Sequence, residues 1–134
     1  MNEDDKTLIR QLRAMHSAEA ARWLIENFPI DLPAGHKDSG RSVRIVPHVS
    51  WKRADQKLLA DYYLKKLPHA HGSWYRAFAG FMSLRKLIGT IEENMPSDPA
   101  DRSLLFYYLL PALKDASKND FDESLIDALS DRYG

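Results

Sequence analysis

Cysteine is absent from the 134 residues. Its absence excludes disulfide frameworks, thiolate zinc sites and cysteine nucleophiles, and suits a reducing compartment. Long hydrophobic runs are lacking too. The longest, Leu104 to Leu110, falls far short of the ~20 residues a membrane-spanning helix needs. Net charge is nil, with 19 basic and 19 acidic side chains, so the chain as a whole is drawn neither to nucleic acid nor to anionic lipid. The opening Met-Asn-Glu-Asp-Asp-Lys is acidic and polar, the reverse of a secretory leader. These absences lead to the expectation of a cytoplasmic protein that makes no use of a membrane.

Catalytic and cofactor motifs are missing as well. There is no Gly-x-Ser-x-Gly elbow and no plausibly placed Ser-x-x-Lys. Gly35 and Gly40 have phosphate-loop spacing, but Arg41-Ser42 stands where Lys-Ser or Lys-Thr is required and no clear strand precedes it. His69-Ala70-His71 has a chelating spacing without an evident third ligand, and a solvated turn is the rival reading. No enzyme activity, no metal and no cofactor are therefore expected.

What is present is an ordinary globular composition, 44% apolar and 28% charged, which argues against disorder. The length suits a single domain spanning 1–134. The zero charge hides an asymmetry: residues 1–35 carry −2, residues 36–91 carry +8 and residues 92–134 carry −6. Opposed patches on the surface, or mutual neutralisation within the monomer, both follow from that division.

Apolar spacing predicts helices along most of the chain. Asn2 or Asp4 caps a first helix through Met15, and Ser17 caps a second ending at Pro29; one bent helix is the alternative. Ser50-Trp51 opens a helix to Leu67, and Ser73-Trp74 opens another to Met95, with Gly80 and Gly89 as places for a crossing or a break recapped by Ser83. Asp98-Pro99 starts a helix through the apolar run at 104–110, a pattern that marks burial on most sides or an outer face that meets a partner. Pro111 predicts a kink or break nearby, and Asp120 to Glu123 resembles a capping box for a last helix. Residues 29–49, rich in proline and glycine, form a long irregular segment with room for one short strand at Val43 to Val46. The expected class is all-α, an irregular bundle of about five to seven helices, preferred over a helical repeat despite an echo between Leu58–Leu64 and Leu104–Leu109.

Two stretches are candidates for function. Lys37, Arg41, Arg44, Lys52, Arg53 and Lys57 lie close together with His48 and Trp51 among them and His36 just before. Cations with an interleaved aromatic suit either phosphates and a stacked base or a protein partner, whereas a core Trp51 and a wet basic face make the alternative. Asp127 and Asp131 stand one helical turn apart, free to meet a basic partner. The expected function is non-enzymatic protein binding, most concretely by an immunity or antitoxin-type inhibitor of a toxin or enzyme. Its contacts would be His36, Lys37, Arg41, Arg44, His48, Trp51, Arg53, Asp127 and Asp131. A nucleic-acid-binding or regulatory domain using residues 36–57 is the alternative, and a homodimer through the 104–110 helix is a further option.

Overall fold

A computed structural model describes residues 2–33 and 35–133. Eight α-helices follow one another among them: α1 (Glu3–Arg13), α2 (Ser17–Asn27), α3 (Arg41–Ile45), α4 (Arg53–Tyr63), α5 (Ser73–Ala79), α6 (Leu84–Glu93), α7 (Pro99–Ala116) and α8 (Asp120–Tyr133). A 3-10 turn at Val46–His48 follows α3, and no strand occurs among the described residues. The expected all-α class holds. The chain divides into two compact units, Met1–Tyr62 and Tyr63–Gly134.

In the first unit the Asn2 carboxamide oxygen accepts the Asp5 N–H at 2.7 Å, satisfying one of the free donors that open α1. Leu8, Ile9 and Leu12 form its buried stripe, and Ala20, Ala21 and Leu24 that of α2. Extended backbone at His16 separates the two helices, so they are not one bent rod. Ser17 is not the cap: its hydroxyl accepts the Lys52 N–H at 2.9 Å.

The described residues from Phe28 to Gly40 are irregular, and the Tyr62 hydroxyl accepts the Ile30 N–H among them at 2.9 Å. The short strand for which Val43 to Val46 left room does not form; helix α3 and the 3-10 turn stand there. Two physical causes are visible. Gly40, at φ +80°, turns the chain through the left-handed region into the helix. Helical spacing then buries Ser42, Ile45 and Val46 on one side while Arg41 and Arg44, three residues apart, reach the same carboxylate.

In the second unit, Trp74 stacks between Tyr63 and Phe78, with ring centroids 4.3 and 5.5 Å away. The helix expected from Ser73 to Met95 is broken after Ala79, and Ser83 recaps α6 by accepting the Lys86 N–H. At the start of α7 the Asp98 carboxylate accepts the Ala100 N–H at 2.8 Å and Pro99 fills the first turn. Pro111 does not break α7, which runs on to Ala116 with the proline on its exposed side. The cap of α8 is Asn119 rather than the predicted Asp120, its side-chain oxygen accepting the Asp122 N–H at 2.8 Å. Helix α7 packs against α5 and α8, and α6 packs against α8.

Candidate functional site

The basic stretch of the first unit separates into structural and exposed cations. Arg41 donates through Nε to Asp5 Oδ1 and through Nη1 to Asp38 Oδ1, each at 3.0 Å, and its guanidinium lies 5.2 Å over the Phe28 ring. Arg44 donates from Nε to the other Asp5 oxygen at 3.3 Å. Asp5 is only 1% exposed. Burial pushes its carboxyl up, but hydrogen bonds from Arg41 and Arg44, with their charges, outweigh that effect and hold it below the ordinary carboxylate value. Arg41 gains in the same way: burial lowers it, and Asp38 and Asp5 raise it further above its usual value.

Trp51 is a core residue. Its burial leaves no aromatic face for a base to stack on, and its indole Nε1 donates to the Val46 carbonyl at 2.9 Å. His48 has an exposed side chain, while its carbonyl accepts from Arg13 Nε at 2.9 Å. In the irregular segment, exposed His36 accepts the Asp38 N–H on Nδ1 at 3.1 Å, with exposed Lys37 between them. Arg53 is exposed at the first position of α4. Folding thus assigns Arg41, Arg44 and Trp51 to holding the unit together and leaves His36, Lys37, His48 and Arg53 at the surface.

The histidine pair of the second unit is also structural on one side. His69 Nε2 donates to the Tyr63 carbonyl at 2.9 Å, and the His69 N–H donates to the Tyr75 hydroxyl, also at 2.9 Å. Burial depresses the imidazole below its usual value and nearby His71 adds to this, with the Tyr63 carbonyl opposing. Tyr75 is fully buried, and desolvation raises its phenol to about 12 despite the bond from His69. No group of three or more metal-ligating side chains occurs among the described residues.

The most distinctive surface of the second unit lies on α7. Leu105, Phe106, Leu109, Ala112 and Leu113 are buried, and the opposite side is apolar too. Tyr107 is 72% exposed and Leu104 41% exposed, with Ala100 and Pro111 exposed on the same side. The spacing 100, 104, 107, 111 is that of one helical stripe, about 17 Å long at 1.5 Å per residue. Two turns beyond Tyr107, on the same flank, Lys114 lines a shallow hollow of about 310 Å³ together with Ser117, Glu123, Ile126 and Asp127. The apolar stripe therefore runs toward an acidic edge supplied by α8. Asp127 and Asp131 are both exposed, and neither has an ion pair among the described residues.

Leu104 and Tyr107 were not among the residues singled out by sequence, although the 104–110 run carried the signal: a helix apolar on every side has more hydrophobic surface than one core can cover. Against models of known families, curated proteins and solved structures the chain finds no match, so its functional reading rests on this geometry.

Proposed function

We propose that this protein acts by binding another protein through the outer face of α7 and the acidic edge beside it. In its most concrete form it is an inhibitor of the immunity or antitoxin type, holding a cationic target. The observation that carries the reading is the exposed pair Leu104 and Tyr107 on a helix whose other side is already buried. Large tyrosines at a surface are favoured anchors because they bring apolar area and a hydroxyl at little entropic cost. Covering such a side chain contributes about 1.5–3 kcal/mol. The partner's chemistry follows from charge: α7 is neutral over its length and α8 beside it carries −4, so a basic surface with an apolar groove is complementary.

The basic segment at 36–57 supports a nucleic-acid reading less well. Its tryptophan is buried, and Arg41, Arg44 and Lys57 are engaged with Asp5, Asp38 and Asp61.

The test is affinity capture from native extract, with and without nuclease, comparing the wild type with a Leu104→Ser/Tyr107→Ser double variant matched by circular dichroism. The expected result is a stoichiometric basic protein that survives nuclease and is lost with the double variant. Retention of the partner by the variant, recovery of nucleic acid alone, or self-association through α7 as the sole interaction would overturn the proposal.

A further inference from the structure

A separate hollow of about 450 Å³ opens in the second unit where the α5–α6 connection faces the α7–α8 connection. Its size is that of a small-molecule site. Phe81, Met82 and Leu84 line it from one side and Phe121 from the other. Phe121 is 59% exposed, a large aromatic left uncovered at the mouth, whereas Phe81 is half-buried against the Phe78 ring at 5.5 Å. Arg85 and Lys118 also line the hollow; both are exposed, and neither has an ion pair among the described residues. The carboxylate in the wall, Asp122, is turned to the backbone and accepts the Lys118 N–H at 3.1 Å. Two cations lining an aromatic-walled concavity, with one oxygen of the neighbouring acid engaged by the backbone, are complementary to a compact apolar group bearing one negative charge.

We propose that this hollow is a binding site for a small hydrophobic carboxylate, its aromatic or branched body between Phe81 and Phe121 and its carboxylate held by Arg85 and Lys118. The site lies apart from the α7 stripe of Leu104 and Tyr107 and stands independently of the protein-binding reading. The arginine supplies a planar fork matched to both carboxylate oxygens, and the lysine a mobile point charge that follows ligands of differing length.

The experiment is an amide chemical-shift titration of the full chain with 4-phenylbutyrate, set against the neutral analogue 4-phenylbutyramide. Saturable shifts are expected at residues 81–85 and 118–122, with the neutral analogue at least about tenfold weaker. An Arg85→Gln/Lys118→Gln variant is expected to lose at least about tenfold in affinity, as is Phe121→Ser, with unchanged circular dichroism. No saturable shift up to about 10 mM probe, equal binding of the neutral analogue, or undiminished binding by the double variant would each overturn the assignment.

Discussion

Asp5 occupies the protein interior between two guanidinium groups, and its replacement tests how much the charge network holds together. The Asp5→Ala variant is expected to be less stable by about 2–3 kcal/mol, below the ~3–5 kcal/mol of a fully buried pair because the half-exposed Arg44 recovers water. Denaturant unfolding measures it. The sign with pH follows from the depressed carboxyl: the stabilisation is complete above the ordinary unfolded value of about 3.9 and is lost as pH falls through the lower folded value. The gap in Tm between wild type and variant should therefore close in acid and stay constant above about pH 5. His69 behaves differently. Its folded pKa is lowered, so the folded chain binds fewer protons than the unfolded one, and stability declines as pH drops below the ordinary imidazole value of about 6.5. His69→Gln, which keeps a donor for the Tyr63 carbonyl, should flatten that decline below about pH 6.5 without altering stability's pH dependence above it. An unchanged slope in thermal melts would show that His69 is not its source.

At the scale of elements, caps and turns decided what periodicity left open. The start of α8 discriminates between two neighbouring residues: Asn119→Ala should cost about 1 kcal/mol, and Asp120→Ala only a few tenths, since the Asn119 side chain takes the Asp122 N–H. Equal losses in thermal unfolding would remove the distinction. The start of α7 was legible because Asp98-Pro99 carries both a cap oxygen and a fixed φ. The Ser83 recap was legible for the same reason, a hydroxyl placed after a glycine break. Helix α3 was not. Over so few residues the run Val43-Arg44-Ile45-Val46 satisfies alternation as well as helical spacing, and the choice depended on Asp5, distant in sequence, receiving Arg41 and Arg44 together. Pro111 marks the converse case. A proline inside a helix is tolerated here on an exposed side, one turn beyond the exposed Tyr107.

For the molecule as a whole, charge is distributed so that the basic middle of the sequence does not become a wholly basic surface. Arg41 and Arg44 meet Asp5, Arg76 meets Asp115 at 2.7 Å, and the acidic C-terminal segment keeps Asp127 and Asp131 exposed. Partner binding through that segment should weaken, chiefly by slower association, as salt rises from about 50 to 500 mM, while the apolar stripe preserves part of the affinity. Surface plasmon resonance with the captured partner reads this, and salt-independent association would assign the contact to the apolar stripe alone. No helix among the described residues is long and apolar enough to cross a membrane. From sequence alone the helical class, the absence of cysteine chemistry, most helix starts and the divided charge were determined, because composition, caps and apolar periodicity are local properties of the chain. Only the tertiary structure decided that Trp51 is internal, that Arg41 and Arg44 are tied to a buried carboxylate, that α3 forms where a strand had room, and that Leu104 and Tyr107 face outward. Those outcomes depend on which side of a helix meets a neighbour and which charge finds a distant partner, and neither is carried by local spacing.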